Sequence, residues 1–379
     1  MSVIALDATY TVDPEPSGVA VYSRRLIESV LELETAHRFL VCYRLSRFRC
    51  RQRFLQPSAT QKFRVRLVQE PFTFWLPWQA ELFHSLAQRP PAFHFRKEVV
   101  TVFDLFPMSG ENYSTPEFRR RFSVLLEEAV RRAARIITLS QYTAGELRRH
   151  LGVEEERIRV IPPGVNLPPQ PATAGERLRE RERWVGSGNE LVLVVGAIQN
   201  RKNTLGAVKA MALLSDHYRL ILAGGNGYGS EVVHEFIRRE SLGTRVMTPG
   251  YVAPEQLESL YQAASVLLFP SLEEGFGFPV LEAMARAVPV VASRTSSLPE
   301  VGGDAVLYVD PRSVEEIAGG VKQLVEDSAL RAELIRRGLD RVAEFSWRRA
   351  AAQTLEVYNE VLGGEKKAAA RWEGAHRER

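Results

Sequence analysis

Short runs of hydrophobic residues alternate with amphipathic segments along the first 168 residues. The runs predict strands, and the segments predict helices. This order of strand, helix and strand is typical of a parallel sheet. Strands are expected at 3–8, 38–43, 62–68, 81–86, 98–104, 135–140 and 157–164, with helices at 17–32, from about Pro116 and at 141–151. We therefore predict an α/β domain here.

The same alternation becomes tighter after residue 190. Predicted strands are 191–196, 219–224, 245–250, 266–271 and 288–293, and predicted helices are 203–215, 254–264 and 279–287, with others from Ser230 and from Val314. These strands are apolar throughout, which indicates a sheet that is covered on both faces. The predicted fold class is α/β, with two Rossmann-like domains in tandem.

Composition suggests where the two domains meet. The stretch "PPQPATAGERLRERERWVGSGN" is rich in Pro, Gly and charge, as interdomain linkers are. We place the N-terminal domain at 1–168, the linker at 169–189 and the C-terminal domain at 190–345. A C-terminal helix at 346–362 is a candidate to cross back to the N-terminal domain, and the tail at 363–379 is expected to be disordered.

The overall composition is that of a globular protein, with 45% hydrophobic and 25% charged residues among 379. The first residues, "MSVIALDATYTVD", lack the features of a signal peptide, and no long apolar run occurs. We therefore expect a cytoplasmic protein without a membrane span. Its two cysteines, Cys42 and Cys50, form no metal-binding pattern, so neither a disulfide nor structural zinc is expected.

Positive charge is concentrated in one part of the chain. Residues 35–69 contain nine Lys and Arg residues and no acid: Arg38, Arg44, Arg47, Arg49, Arg51, Arg53, Lys62, Arg64 and Arg66. A solvated basic loop and a surface that binds anionic membrane are both consistent with this pattern. Nucleic acid is a weaker alternative, because no nucleic-acid motif is present, and we predict no nucleic-acid partner.

Two adjacent cations follow the first strand of the second domain. Ligands of open parallel sheets bind beyond the carboxyl ends of the strands. Arg201 and Lys202 lie there, before a helix that Asn203 would cap. Arg supplies a two-pronged donor and Lys a point charge, so the pair suits a diphosphate. A pair that is merely exposed in a loop is the alternative.

The segment "PSLEEGFGFPVLEAMA" (270–285) places an acid on each side of a glycine-rich loop. The glycines let backbone N–H groups approach a ligand, and the helix that follows presents an N-terminus suited to phosphate. We expect Glu274 in the loop, binding a transferred sugar, and Glu282 in the first helical turn, binding a ribose diol. A nucleoside-diphosphate sugar fits this arrangement. The alternative, in which Glu282 complements the helix dipole and Glu274 is solvated, leaves the glycines unexplained.

Other motifs bear on cofactors. Gly18 opens the first helix and would let it approach a phosphate across an interdomain cleft. No Asp-x-Asp pair occurs, so a metal-bridged diphosphate is not expected. The glycines of "GGNGYG" (224–229) lack the spacing typical of nicotinamide sites. We predict no metal and no cofactor, with the nucleotide sugar as a substrate.

These residues resemble the retaining glycosyltransferases of group 1, a family with the two-domain GT-B architecture. Glu274 and Glu282 are similar to its E-x7-E donor signature. The similarity continues through "GAIQNRKN", "TPGYVAPEQLESLYQAA" and "VPVVASRTSSLPEVGGDAVLYVDP". In the N-terminal domain it is looser and includes "SGVAVYS", "VVTVFDLFP", "IITLSQYTAGEL" and "IPPGVN".

The resemblance implies a role for each matching residue. Arg201 and Lys202 would hold the diphosphate and Glu274 the transferred sugar, and these three are the expected catalytic residues. The full set expected to bind the donor is Gly18, Arg201, Lys202, Gly250, Tyr251, Val252, Glu274, Gly275, Phe276, Gly277 and Glu282. The resemblance also implies retention of the anomeric configuration, generally without metal, by a front-face mechanism in which the leaving phosphate takes the acceptor proton.

Four further residues are candidates for the cleft and the acceptor side. The resemblance implies that Ser140 and Gly164 face the cleft. Many relatives have His before the Asp of "TVFDLFP", where this chain has Phe103. A sugar contact at that position is therefore in question, while Asp104 stays a candidate to orient an acceptor hydroxyl. His84, at another strand end, is either on the acceptor side or structural.

The predicted function is transfer of a sugar to a glycan or lipid-linked acceptor in cell-envelope polysaccharide synthesis. Overall similarity to bacterial polysaccharide mannosyltransferases makes GDP-mannose the first expected donor, and the inner face of the plasma membrane the expected location. A nucleotide-sugar epimerase or a phosphorylase on the same plan is an alternative. An epimerase would need no acceptor, and a phosphorylase of this fold would carry pyridoxal phosphate. A non-catalytic protein that binds nucleotide sugars is the third class.

Overall fold

The computed structural model describes residues 1–54, 63–109, 113–168 and 172–377. They divide into two compact units. Unit 1 comprises Met1–Leu105, Arg120–Gly164 and the chain from Ser346 onward. Unit 2 comprises Phe106–Arg119 and Val165–Phe345.

Unit 1 contains a sheet of seven parallel strands in the order β3-β2-β1-β4-β5-β6-β7. The strands are β1 Val3–Asp7, β2 Arg38–Arg44, β3 Phe63–Val68, β4 Leu82–Ser85, β5 Glu98–Val102, β6 Arg135–Thr138 and β7 Ile158–Val160. The first five helices of the chain are α1 Gly18–Glu32, α2 Leu45–Phe48, α3 Leu76–Gln79, α4 Pro116–Arg132 and α5 Gln141–Leu151. Strand β7 ends earlier than predicted, because Pro162 and Pro163 cannot donate hydrogen bonds to a sheet.

Unit 2 contains six parallel strands in the order β10-β9-β8-β11-β12-β13. They are β8 Glu190–Val195, β9 Tyr218–Ala223, β10 Val246–Gly250, β11 Val266–Phe269, β12 Val290–Ser293 and β13 Leu307–Val309. The helices are α6 Ala174–Val185, α7 Thr204–Leu213, α8 Ser230–Arg239, α9 Pro254–Ala263, α10 Phe278–Met284, α11 Leu298–Gly302, α12 Val314–Glu326 and α13 Ser328–Val342. The predicted α/β class with two parallel sheets is confirmed.

In each unit the strand order reverses direction next to the first strand. The reversal lies between β1 and β4 in unit 1 and between β8 and β11 in unit 2. Crevices at such reversals are where open α/β sheets bind ligands. The loops that follow β8 and β11 are therefore the first place to look for a site in unit 2.

The segment expected to be a linker holds a helix, α6, which belongs to unit 2. Thr173 and Glu176 form a reciprocal capping box at its start. Arg177 and Arg181 donate hydrogen bonds from this helix to the carbonyls of Ala264 and Ala263. Pro, Gly and charge dominate the local composition, but the cap and these arginine contacts fix the segment as a helix.

The last helix, α14, spans Trp347–Arg377 and packs against α1 within unit 1. Its residues up to Val361 include several that are buried, among them Ala351 and Tyr358. The helix continues past residue 362, where the sequence places its end, to Arg377, and the disorder expected of the tail stays a prediction. Runs of Ala, Lys and Glu there favour helix.

Candidate active site

Arg201 and Lys202 lie just beyond strand β8, in a 3₁₀ helix at Asn200–Lys202. Gly196, at the end of the strand, has a φ of +123°. A Cβ on that residue would come within 2.6 Å of the Lys202 side chain, so only glycine leaves room for it. The sequence suggested that the Asn203 side chain would cap α7. In the structure it does not, and its amide donates a hydrogen bond to the carbonyl of Pro311 instead.

Glu274 lies in the loop after β11 and bridges both cations. One carboxylate oxygen lies 2.8 Å from Arg201 and the other lies 2.9 Å from Lys202 Nζ. Ser271 Oγ donates a third bond, of 2.9 Å, to the second oxygen. Arg201 and Glu274 are buried. Chain segments that are about 70 positions apart thus meet at the reversal of strand order.

The electrostatics keep this glutamate ionised. Burial alone would raise the pKa of Glu274, but the charges and hydrogen bonds of Arg201 and Lys202 outweigh it and lower the pKa to about 2. Glu274 is therefore a hydrogen-bond acceptor at neutral pH. Lys202 Nζ also lies 4.7 Å from the centroid of the Phe269 ring, a second attraction that holds the ammonium in place.

Two serines that sequence reasoning did not single out fix the glycine-rich loop. Ser296 Oγ accepts from the backbone N–H of Glu274 at 3.0 Å. Ser297 Oγ lies 2.9 Å from the carbonyl of Glu274 and 2.8 Å from that of Phe276. Both follow strand β12, and that position beyond a strand end was the only signal in the sequence. They set the backbone course on either side of the buried glutamate.

Gly277 and Phe276 form the end of this loop. Gly277 has a φ of +113°, and a Cβ there would lie 2.7 Å from Leu298 Cδ2. Both constraints require glycine. Phe276 is buried, with its ring centroid 5.2 Å from that of Phe278. Gly275, between the glutamate and Phe276, completes the loop.

Glu282 lies in the second turn of α10, not in the first turn as predicted, because the helix begins at Phe278. Tyr261 Oη donates a 2.7 Å hydrogen bond to its carboxylate. Burial raises the pKa of Glu282, while this hydrogen bond and the nearby charges of Arg286 and Lys202 act against the increase. Sequence reasoning missed Tyr261, which lies in α9 and has no sequence spacing that links it to α10.

The residues expected to line a base follow strand β10 in unit 2. Gly250 closes the strand with a φ of +78°. Tyr251 is exposed, whereas Val252 is buried. They lead directly into α9, the helix that carries Tyr261. Helix α9 therefore joins this turn to Tyr261, the residue that donates a hydrogen bond to Glu282 on α10.

Three of the residues expected on the acceptor side follow strands of unit 1, and Gly18 begins a helix of the same unit. Gly18 begins α1. Asp104 follows β5, and its carbonyl accepts from Gln88. Ser140 caps α5 by accepting from the Thr143 N–H at 3.1 Å. Gly164 packs against the backbone of Trp347 on α14 so closely that a Cβ has no space.

His84 is fully buried, which favours its structural interpretation. Its Nδ1 lies 2.6 Å from Tyr358 Oη and its Nε2 lies 2.9 Å from Thr101 Oγ1. Burial lowers its pKa to about 3. Phe103, which precedes Asp104, packs edge-on against Tyr22 with centroids 5.1 Å apart.

Among residues 1–54, 63–109, 113–168 and 172–377, no group of three or more His, Cys, Asp or Glu side chains is placed to hold a metal ion. No helix within the same ranges combines the length and the apolar character that crossing a bilayer requires.

Comparison with known proteins identifies the family. Residues 177–341 match the glycosyl transferases group 1, and residues 16–168 match Glycosyltransferase Family 4. The O-antigen chain mannosyltransferase B of Escherichia coli is 32% identical over 266 residues, which are 69% of this chain and 70% of that protein.

Solved structures share the fold at low sequence identity. Sucrose-phosphate synthase from Thermosynechococcus elongatus is 22% identical with a TM-score of 0.73, over 96% of this chain and 100% of that one. Anabaena Alr3699/HepE in complex with UDP-glucose is 18% identical with a TM-score of 0.74, over 94% of this chain and 100% of that one. With its two parallel-sheet units, the chain has the GT-B fold and belongs to the group 1 glycosyltransferases.

Proposed function

We propose that this enzyme transfers mannose from GDP-mannose to a hydroxyl of a glycan or lipid-linked acceptor in cell-envelope polysaccharide synthesis. The observation that carries the proposal is the cluster of Arg201, Lys202 and Glu274 at the strand reversal of unit 2. Two cations beside an ionised acceptor suit a diphosphate joined to a sugar. Similarity to an O-antigen chain mannosyltransferase supports mannose as the sugar.

In this proposal the cations stabilise the leaving group. Negative charge grows on the diphosphate as the bond to the sugar breaks, and preorganised cations lower the energy of that state. In the structure, the Glu274 carboxylate pairs with both cations. Donor binding would make the diphosphate share them, leaving Glu274 to accept hydrogen bonds from sugar hydroxyls.

The family resemblance implies that the anomeric configuration of the sugar is retained and that no metal takes part. The charges of the site residues are consistent with such a mechanism. The low pKa of Glu274 makes it a poor proton donor at neutral pH. The proposal therefore assigns the acceptor proton to the leaving phosphate, which departs from the same face that the acceptor approaches. Arg201 and Lys202 supply the positive charge that a metal would otherwise provide.

The nucleoside would bind between the turn before α9 and the acid on α10. Glu282, held in place by the hydrogen bond from Tyr261, would accept hydrogen bonds from both hydroxyls of the ribose. Gly250, Tyr251 and Val252 would line the base. Guanine is the first choice by similarity, while the UDP-glucose bound to the Anabaena protein makes uracil the base to test against it.

The acceptor, membrane and location belong to the same proposal. Asp104, Ser140 and Gly164 lie in unit 1, where we place acceptor recognition, while Gly18 stays a candidate to bind the donor. The enzyme would work in the cytoplasm at the inner face of the plasma membrane. Residues 35–69 would contact anionic lipid there, although residues 55–62 of that segment lie outside the described structure.

A thermal-shift panel tests the donor first. GDP, UDP, ADP and their sugar conjugates are added without metal, and one nucleotide family is expected to raise the melting temperature. Lys202→Ala should reduce that shift, whereas Lys209→Ala, an exposed lysine on α7, should not.

Product analysis then tests transfer with the matching conjugate. Transfer to an acceptor with unchanged anomeric configuration supports the proposal. Change of the sugar without acceptor would indicate an epimerase. Binding without transfer or slow hydrolysis would indicate a non-catalytic binding protein.

A further inference from the structure

Four aromatic side chains are exposed together on unit 1. Phe72, Phe74, Trp75 and Trp78, which we name the aromatic patch, have 70%, 60%, 43% and 81% of their surface accessible. The Phe74 ring centroid lies 5.6 Å from that of Trp75 and 6.1 Å from that of Trp78. Single exposed apolar residues are ordinary, but exposed rings in contact, such as those of Phe74, Trp75 and Trp78, are typical of an interaction site.

The patch is held on a fixed support. Leu76 and Ala80, which lie between or beside the aromatic residues, are buried and pack with Val68 in a core cluster of unit 1. Thr73 closes the turn before them, because its hydroxyl and its N–H both bond to the backbone of Gln69. The anchoring side chains take the inward positions, so the aromatic rings are left on the outside.

Three arginines share one face of the sheet, and one of them contacts α3, the helix within the aromatic patch. Alternate residues of a strand share a face, so Arg64 and Arg66 lie on the face of β3 that Val68 turns to the core. The register with β2 puts Arg38 on that face as well. Arg66 Nε donates to Gln79 Oε1 at 3.1 Å, which brings its guanidinium directly to α3.

Other arginines of residues 35–69 bond to the protein itself. Arg44 donates to the carbonyl of Arg89, Arg47 pairs with Asp13 at 3.2 Å, and Arg51 donates to the carbonyl of Phe48. Among the arginines of the basic segment, we therefore consider Arg38, Arg64 and Arg66, which share one face of the sheet, as the candidates to bind lipid with the patch.

Two acids also lie close to the patch in sequence. Glu70 accepts from the backbone N–H of Ala92, and Glu81 accepts from Ser2 Oγ. Both carboxylates are engaged by hydrogen bonds from the chain. Arg38 and Arg64, by contrast, are exposed on the same face of the sheet as Arg66.

We propose that the aromatic patch inserts into the interface of a bilayer that contains anionic lipid, while Arg38, Arg64 and Arg66 bind the headgroup phosphates. Aromatic rings favour the headgroup level of a membrane, and guanidinium groups bind phosphate oxygens in a fork. A second copy of the chain is a poorer occupant, because face-to-face pairing would bring the arginines of both copies together.

This inference deepens the membrane contact proposed above and rests on it. It shifts the centre of that contact from the basic segment to residues 72–78. It does not depend on the identity of the donor, since every residue it uses lies in unit 1.

Vesicle sedimentation tests the proposal with the full-length protein. Vesicles of phosphatidylcholine with and without phosphatidylglycerol are compared at low and high salt. The triple variant Phe72→Ser/Phe74→Ser/Trp78→Ser is expected to lose about tenfold or more in partitioning, in line with the apolar surface it removes. The matched control Leu213→Ser/Leu339→Ser, at residues 58% and 47% exposed in unit 2, should partition as the wild type does.

Charge and insertion are separated by two further variants. Arg38→Gln/Arg64→Gln should weaken binding to anionic vesicles at low salt by about fivefold per arginine, because each basic residue near such a surface contributes about 1 kcal/mol. Trp75→Phe/Trp78→Phe should still bind but should lose most of the fluorescence quenching caused by lipids brominated in the acyl chains.

Three results would overturn the proposal. They are wild-type partitioning by the triple serine variant, absence of vesicle binding by the wild-type protein, and a dimer in light scattering that the triple variant abolishes. The nucleotide thermal shift is measured on the same proteins. A missing shift alongside intact vesicle binding would count against the proposed function and leave this inference standing.

Discussion

Replacing Glu274 by Gln would show whether its carboxylate neutralises the two cations of the site. Gln has nearly the same shape and resembles the protonated acid, so the substitution removes the charge and little else. Arg201 and Lys202 would then lie close together in a buried place without their anion. We expect Glu274→Gln to fold, but with a lower free energy of unfolding at pH 7.

The size of the loss follows from the pKa of the carboxyl. A decrease from 4.5 to about 2 means that the folded protein favours the ionised form. At 1.36 kcal/mol per pKa unit this is about 3 kcal/mol, within the range for breaking one side of a buried pair. For a unit of about 200 residues, the melting temperature should fall by roughly 6–12 °C.

The sign of the pH dependence is a second check. Because the folded pKa is depressed, the stabilisation is fully present above pH 4.5 and is lost as the pH falls through about 2. The difference between wild type and Glu274→Gln should therefore shrink with increasing acidity. Calorimetry at several pH values measures it.

Glu333 provides a matched control. Arg336 and Arg337 lower its pKa to about 2 as well, but on the exposed surface of α13. Solvent screens such pairs, so Glu333→Gln should change the melting temperature little. Inorganic pyrophosphate should stabilise Glu274→Gln more than the wild type, because it supplies the missing anion. Equal melting temperatures for Glu274→Gln and wild type, or equal pyrophosphate shifts, would refute the reasoning.

Three other substitutions test the Glu282 contact, the buried His84 and the glycine-rich loop. Tyr261→Phe should weaken GDP binding about tenfold and leave pyrophosphate binding unchanged in calorimetric titration, since one hydrogen bond to the second glutamate of the motif is lost. Tyr218→Phe is its control, because that hydroxyl has no hydrogen-bond partner within the described residues. In the wild type, the free energy of unfolding should fall by up to about 1.4 kcal/mol for each pH unit below 6.5 because of His84. His84→Gln should abolish this contribution to the pH dependence, as measured by urea unfolding. The buried imidazole stays neutral while the unfolded one takes up a proton, and an unchanged slope would contradict this origin. Gly277→Ala should cost about 1–3 kcal/mol by the same method, and a cost no larger than that of Gly243→Ala, where a Cβ has open space, would argue against backbone strain.

The sequence predicted the two sheets because buried parallel strands are apolar throughout. It also placed Arg201, Lys202 and Glu274 at strand ends, which parallel sheets bring to one edge. It did not predict that the acid would pair with the cations, because side-chain direction in a loop depends on contacts such as those from Ser296 and Ser297. Tyr261 was missed because no sequence spacing links its position in α9 to Glu282 in α10.

Helix α6 shows where composition misleads. Thr173 and Glu176 have the three-residue spacing of a capping box, which indicates the start of a helix. The rest of the segment has the composition of a linker. The aromatic patch was passed over because Phe and Trp usually indicate a core. Only the structure shows that Leu76 and Ala80 take the buried positions beside them.

The packing of α14 on α1 affects how the protein is made. Tyr358, which bonds to His84 in the first sheet, is translated about 200 residues after the last strand of that sheet, or roughly 10 to 40 s later at ordinary ribosomal speeds. Most of unit 2 leaves the ribosome and can fold in that interval. During the same time, the surface of α1 that α14 will cover stays exposed to solvent. Production of the first 168 residues alone should therefore give a fragment that aggregates or recruits chaperones, and supplying residues 346–379 as a separate peptide should restore its solubility.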